Sequence, residues 1–153
     1  MSAIDDRLQA ANITLPEASA PAANYIPWTK AGDLVFTAGQ LPLENGKLAS
    51  TGRLGEDLDT AEGAAAARQC AINILAQLKA AAGDLGRIEK LVKLTVFVAS
   101  APHFTEQHLV ANGASDLLAE ILGKAGRHAR SAVGTASLPL NAPVEIEAVA
   151  LIK

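Results

Sequence analysis

Hydrophobic positions recur at helical spacing in two long stretches of the chain. The first runs from about Ala61 to Ala81 and places one apolar face at Ala67, Cys70, Ile74, Leu75, Leu78 and Ala81. Asp59 or Thr60 caps its start, and Gly83 ends it. The second predicted helix covers about Phe104 to Leu122, before Gly123. A capping pattern, in which Asp5 follows Ser2, predicts a further short helix within residues 2–12.

Alternation of apolar and polar residues predicts strands elsewhere. It is strongest in RIEKLVKLTVFVAS, residues 87–100, where the side chains expected to point to one side are Val92, Leu94, Val96 and Val98. Two shorter runs flank the turn signal Ala31-Gly32-Asp33. Two more lie in HARSAVGTASLPLNAPVEIEAVALI, residues 128–152, on either side of LPLNAP. The Gly-rich segment 44–59 is predicted to be irregular.

The order of these elements is β-β-loop-α-β-α-β-β. It predicts an α+β fold, in which a mixed sheet carries two main helices on one face. We expect a single domain over residues 1–153, with residues 1–20 forming an N-terminal helix and linker. The other face of the sheet also carries apolar residues. An uncovered apolar face predicts self-association, often through closed cyclic symmetry.

Composition excludes several classes of function. The net charge is −3 and aromatic residues make up 3% of the chain, whereas a nucleic-acid binder usually shows a basic field and stacking aromatics. Cys70 is the single cysteine, which excludes an internal disulfide and fits a reducing compartment. No apolar run approaches the roughly 20 residues that span a bilayer. We therefore expect a soluble, cytoplasmic protein that binds neither nucleic acid nor membrane.

Arg130 is the first candidate for chemistry. It shares one face of its predicted strand with the small residues Ala132, Gly134 and Ala136, which suggests space for a ligand over the strand. The planar guanidinium matches a carboxylate or phosphate, so a small anionic ligand fits the pattern. The alternative is an arginine that pairs with a structural carboxylate or extends into solvent at the strand end.

Glu145 and Glu147 share one face of the last strand, opposite a fully apolar face expected to contact the helices. If a partner subunit covers the face with the two carboxylates, loss of solvent raises the pKa of a carboxyl there. Such a group is a plausible proton acceptor or water-positioning residue. The alternative is that each glutamate pairs with an arginine or lysine across the interface. We prefer this alternative for Glu147 and leave both readings open for Glu145.

Other chemical signals are weaker. His103 and His108 are five residues apart, which is not the spacing of a helical metal pair, and no third ligand is evident. Ser131 lacks an obvious base and activator. A basic cluster at Lys124, Arg127, His128 and Arg130 is too small to indicate RNA binding. The chain contains neither GxGxxG nor a P-loop, so nucleotide binding has no motif support.

Three blocks of the sequence resemble the Rid family of reactive-intermediate deaminases, also called the YjgF family or, by an older label, endoribonuclease L-PSP. Family members typically end in a block like P-A-R-S-x-V-E-V-A-x-L-P-x(4)-V-E-I-E-x-I-A. This chain has HARSAVGTASLPLNAPVEIEAVA and keeps the interval of fifteen residues from Arg130 to Glu145. NYIPWTKAGDLVFTAGQLPL is similar to GPYSQAV-x-x-G-x-L-x-F-x-S-G-Q-I-P-L. LKAAAGDLGRIEKLVKLTVFVAS is similar to L-x-A-A-G-x-x-L-x-D-V-V-K-x-T-V-F-L. The resemblance covers about residues 24–151.

The resemblance implies a homotrimer with the chorismate-mutase-like fold of the bacillus type and clefts between subunits. It implies hydrolysis of enamine and imine forms of 2-amino acids, such as 2-aminoacrylate, to a 2-oxo acid and ammonia, without a metal or organic cofactor. By position, Arg130 matches the arginine that binds the substrate carboxylate, and Glu145 matches the glutamate that positions water. Tyr25 matches the tyrosine of the cleft, and Gly39 matches a backbone contact.

Departures from the family pattern affect the expected substrate. Ala132 replaces a frequent cysteine, Gly134 replaces a glutamate, and His108 replaces an asparagine that contacts the cleft. The N-terminal helix and the 50–59 loop are longer than in compact members and suggest a longer-chain branch. The substrate-binding residues expected from the resemblance are Tyr25, Gly39, Ala132 and His108. The competing functions are a non-catalytic trimer that binds a small carboxylic acid and, ranked last, an endoribonuclease.

Overall fold

The computed structural model describes residues 2–21 and 23–153, which contain three α-helices and seven β-strands. The helices are α1 (Ala3–Ala10), α2 (Thr60–Ala82) and α3 (Gln107–Leu122). The strands are β1 (Trp28–Ala31), β2 (Leu34–Thr37), β3 (Leu43–Glu44), β4 (Lys47–Leu48), β5 (Ile88–Ala99), β6 (Ala129–Thr135) and β7 (Val144–Ile152). No helix in the described ranges is long and apolar enough to cross a membrane.

The predicted caps define the ends of two helices. Ser2 and Asp5 form a reciprocal capping box at the start of α1. Asp59 and Glu62 form the same arrangement at the start of α2, so Asp59, not Thr60, is the cap. The left-handed φ of +85° at Gly83 ends α2 as expected.

Helix α3 begins at Gln107, three residues later than its periodicity predicts. The Phe104 amide donates to the Ala101 carbonyl at 3.0 Å, which closes a tight turn before the helix. The Gln107 side chain then donates to the Phe104 carbonyl at 2.8 Å. The apolar residue at 104 therefore belongs to this turn.

Five strands form a mixed sheet in the order β1-β2-β7-β5-β6. Strands β5 and β6 are parallel because α3 crosses over between them, and the other pairs are antiparallel. Helices α2 and α3 pack on one face, and the predicted apolar face of β7 contacts them through the buried residues Val144, Ile146, Ala148, Ala150 and Ile152. The predicted α+β fold is confirmed.

The prediction that Val92 points inward with Leu94 is wrong. The pairing of β5 with β7 shifts between Leu91 and Lys93, where two residues lie opposite one. This β-bulge reverses the alternation, so Leu91 is fully buried while Val92 is partly exposed.

The segment 44–59 is not irregular throughout. Its start belongs to a short hairpin in which β3 pairs with β4 across Asn45 and Gly46. These two residues have φ values of 54° and 77°, as a tight primed turn requires. The Asn45-Gly46 dipeptide is a sequence signal for such a turn, and the prediction of an irregular segment overlooked it.

The two long helices approach each other closely through small residues. A Cβ at Gly113 of α3 would overlap the backbone carbonyl of Ala64 in α2. Gly63 is similarly confined by Leu54 and Val110. The alanine- and glycine-rich composition thus serves close helix packing.

The opposite face of the sheet has no helix over it in the described chain. Phe36 is 39% exposed on this face and Val133 is 45% exposed. Strand register places Phe97 beside Val133 on one side and beside Glu145 on the other. This open face therefore combines apolar side chains with the carboxylates of β7.

Candidate active site

Glu145 lies on the open face of the sheet, where the backbone of residues 38–41 approaches β7. The amide of Gln40 donates to the Ile146 carbonyl at 2.7 Å, and the Ile146 amide donates back to Gln40 at 3.0 Å. This pairing brings Gly39 against the Glu145 side chain. A Cβ at Gly39 would lie 2.5 Å from Glu145 Oε2, so only glycine leaves room for the carboxylate in this position.

The surroundings of Glu145 favour a proton acceptor with a raised pKa. Burial raises the pKa of the Glu145 carboxyl first, and the neighbouring charge of Glu147 raises it further. Within residues 2–21 and 23–153, no group donates a hydrogen bond to this carboxylate and no cation forms an ion pair with it. The carboxylate is therefore available to a water molecule or a ligand.

Tyr25 and Gly39 line a small cavity, and in the described chain Glu145 is not part of its wall. The cavity has a volume of about 60 Å³, and its wall also includes Pro21, Pro27 and Gln40. Tyr25 itself is 48% exposed. In the described chain the Gly39 amide donates to no acceptor, so it can contact a ligand as the resemblance implies. Gly39 borders both this cavity and the Glu145 carboxylate, and we call Tyr25, Gly39 and Glu145 the first half-site.

Arg130 lies at the edge strand β6, where α3 supports its guanidinium. Nη1 donates to the Ser115 hydroxyl at 3.0 Å, and Nη2 donates to the His108 carbonyl at 2.9 Å. No carboxylate in the described ranges lies within ion-pair distance of it. A guanidinium has five N–H groups, so donors remain for an anion. Arg130 and these α3 contacts form the second half-site.

The space over the small residues of β6 is narrower than the sequence suggested. Ala132 packs against the hydrophobic core. A Cβ at Gly134 would lie 3.0 Å from Gln107 Nε2 and 3.2 Å from Ser100 Oγ. The side chains of Gln107 and Ser100 therefore occupy part of the space over Gly134.

The two half-sites lie on opposite faces of the sheet. Arg130 is in register with Leu94, which is fully buried under the helices, whereas Glu145 is in register with Phe97 on the open face. Strand β5 separates them, so their backbones are about 10 Å apart across the strands alone. A single copy of the chain cannot place both side chains on one small substrate.

Two residues behind Arg130 were not predicted as part of the site. Ser115 Oγ lies 2.9 Å from His128 Nε2, and His128 Nδ1 lies 2.6 Å from the Gly126 carbonyl. The sequence placed His128 in a basic cluster only. Ser115 had no signal, because it reaches Arg130 from a different element fifteen residues away. The side chain of His108 is exposed, and its contact with Arg130 is made by its carbonyl.

The mixed sheet with its two helices on one face defines a chorismate-mutase-like α+β protein, and each charged candidate residue is the second residue of its strand. Comparison with protein families agrees with this architecture. A family model described as "YjgF/chorismate_mutase-like, putative endoribonuclease" matches residues 5–151. The chain belongs to this family, which confirms the resemblance seen in the sequence.

Three similar proteins show the range of the family. Atu1372 from Agrobacterium tumefaciens, a protein of unknown function, has a solved structure with a TM-score of 0.92 and 56% identity, covering 98% of this chain and 92% of that one. Protein TCP17 from Trypanosoma cruzi is 51% identical over 92% of this chain and 89% of its own length. A 2-iminobutanoate/2-iminopropanoate deaminase from Salmonella typhimurium is 34% identical over 90% of this chain and 96% of its own length.

Proposed function

We propose that this protein is a hydrolase that converts 2-imino acids, and the enamines in equilibrium with them, to 2-oxo acids and ammonia. The observation that carries the proposal is a pair of complementary charged groups, neither of which has an oppositely charged partner in the described chain. Arg130 presents a cation that no carboxylate neutralises, and Glu145 presents a half-buried carboxylate with a raised pKa and no cation beside it. The 34% identity to a deaminase of such imino acids supports this substrate class.

The complete site forms between copies of the chain. The half-sites lie on opposite faces of the sheet, so the Arg130 of one copy must meet the Glu145, Gly39 and Tyr25 of another. The open face has exposed apolar residues, and β6 is an edge strand with one side unpaired in the sheet of a single chain. The resemblance implies that three copies assemble in this way.

The reaction needs little beyond positioning. Arg130 binds the substrate carboxylate through two N–H groups. Glu145 accepts a proton from a water molecule as that water attacks C2 of the protonated imine. The resulting carbinolamine loses ammonia when its hydroxyl proton is removed and its nitrogen is protonated, which leaves the 2-oxo acid. The atoms balance as imine plus water giving ketone plus ammonia. Holding the two reactants together supplies most of the rate gain.

The changes at positions 132, 134 and 108 affect which imino acid fits best. Gly134 lies close to Gln107 and Ser100 and leaves no carboxylate near Arg130 from its own strand. Ala132 has no thiol, so hydrolysis here proceeds without sulfur chemistry. His108 presents an exposed imidazole where the resemblance expects an amide. A substrate other than 2-aminoacrylate is therefore expected to be preferred.

The proposal is tested by coupling an L-amino-acid oxidase, which generates 2-imino acids, to the purified protein. The rate of semicarbazone formation across a panel of amino acids should fall as the protein removes imine. Arg130→Ala should abolish the effect, and Glu145→Gln should reduce it strongly while 2-oxobutyrate still binds. Lys79→Ala, at an exposed position near the end of α2, serves as the control. Unchanged semicarbazone formation with the whole panel would refute the proposed activity.

Further measurements on the same variants separate the competing functions. A binding protein would show a rise in melting temperature with 2-oxobutyrate, lost in Arg130→Ala, but no turnover. An endoribonuclease would cleave RNA, and the activity would persist through successive columns and disappear in Arg130→Ala. Light scattering should give the mass of three chains if the site is formed as proposed.

A further inference from the structure

We propose that Ser115 and His128 are positioning residues that hold Arg130 in the conformation that binds the substrate carboxylate. The inference rests on the proposed function of Arg130 and assigns a role to two residues outside the site expected from the sequence. Ser115 comes from α3, His128 comes from the segment before β6, and both lie on the helix-covered side of the edge strand.

The hydrogen bonds of this group have one self-consistent direction. The Gly126 carbonyl can only accept, so His128 Nδ1 carries the proton in the 2.6 Å contact. In the neutral ring, Nε2 is then an acceptor, and the Ser115 hydroxyl donates to it across 2.9 Å. The lone pairs of Ser115 Oγ remain free to accept from Arg130 Nη1 at 3.0 Å. Each member orients the next, from the backbone of Gly126 to the guanidinium.

The hydrogen bonds from Gly126 through His128 and Ser115 to Arg130 form what we call the relay. The relay matters because an arginine side chain is long and has many rotamers. Ser115 holds Nη1, and the His108 carbonyl holds Nη2, so the plane of the guanidinium is fixed at two points. Without His128, the Ser115 hydroxyl can rotate, and its lone pair then no longer points toward Arg130 Nη1. The C-terminal family block quoted above has proline where this chain has His128, so the relay is a feature of this chain.

The relay acts on binding more than on the chemical step. Arg130 binds the substrate carboxylate equally before and during the attack by water. A weaker contact with Arg130 therefore weakens binding of the ground state and of the transition state together. The expected signature is a raised KM with kcat nearly unchanged. A hydrogen bond to a charged group contributes enough that its loss weakens binding about tenfold or more.

The test measures 2-oxobutyrate affinity by calorimetry and imine hydrolysis kinetics on the full chain. Ser115→Ala and His128→Phe should each weaken 2-oxobutyrate binding by about tenfold. Ser115→Thr keeps the hydroxyl, and His128→Gln keeps an acceptor near the place of Nε2, so both should restore most of the affinity. Arg130→Lys keeps a cation that can still bind the carboxylate weakly but has no guanidinium for Ser115 to position, so in that background Ser115→Ala should cause little additional loss. Melting temperatures identify any variant whose fold is damaged.

The outcomes distinguish the two proposals. If Arg130→Ala loses 2-oxobutyrate but Ser115→Ala and His128→Phe bind it like the unchanged protein, the relay is refuted and the proposed function stands. If Ser115→Ala lowers affinity equally in the unchanged protein and in Arg130→Lys, its role is structural and the inference is also refuted. If the unchanged protein does not bind 2-oxobutyrate, or Arg130→Ala binds it equally well, the proposed site fails and the relay fails with it.

Discussion

Replacing Gly39 by alanine tests the candidate site more sharply than removing a charged residue. The new Cβ would lie 2.5 Å from Glu145 Oε2, 2.8 Å from Cδ and 3.0 Å from Cγ. Ordinary van der Waals contact begins at 3.4 Å, so the carboxylate oxygen must move by about 0.9 Å. A displacement of about 1 Å in a catalytic group costs roughly 100-fold in rate, or about 2.7 kcal/mol of transition-state stabilisation.

The fold should tolerate this change while activity falls. Gly39 does not have a left-handed φ, so alanine introduces no backbone strain there. The Glu145 side chain is half-exposed and can rotate toward solvent, so the melting temperature should change by only a few degrees. The assay is imine hydrolysis, measured as kcat/KM, beside thermal unfolding. Gly39→Ala acts by displacing Glu145, so in a Glu145→Gln background it should lower kcat/KM little further. If Gly39→Ala hydrolyses imines within about threefold of the original rate, Glu145 does not position the attacking water.

Three other predictions address electrostatics and packing. Glu147→Gln removes a charge that raises the pKa of Glu145, so the acid limb of the pH–rate profile should shift to lower pH; an unshifted profile would contradict this assignment. With its raised pKa, the Glu145 carboxyl stabilises the fold while it is protonated, below its ordinary pKa, and this stability is lost as the pH rises through the pKa in the folded state. Glutamine stays uncharged, so Glu145→Gln should raise the melting temperature at neutral pH. Gly113→Ala should cost about 1–3 kcal/mol in urea unfolding, because the methyl group forces α2 and α3 apart; a neutral effect would show that the crossing adjusts freely. Leu91→Ala should cost about 2–5 kcal/mol and Val92→Ala less than about 1 kcal/mol, and the reverse order would exclude the bulge in β5.

Local signals in the sequence determined most of the secondary structure. Ser2 and Asp59 begin helices because their side chains satisfy free amides at the first turn. The alternation in β7 correctly placed Glu145 and Glu147 away from the helices, because five apolar residues fill the other face of that strand. Family membership could also be recognised, since three blocks keep their order and spacing. Each of these features depends on residues close together in the chain.

Tertiary structure decided the features that depend on contacts between distant segments. Alternation in β6 could not tell which side Arg130 occupies, because neither face of the strand carries a stripe of large apolar residues. Pairing with β5 puts it under α3, on the face opposite Glu145, and this separation is the reason for the proposed site between copies. The bulge at Leu91 and the relay through Ser115 are likewise invisible in the sequence. They arise from strand register and helix packing, which are set by the whole core and by no single segment.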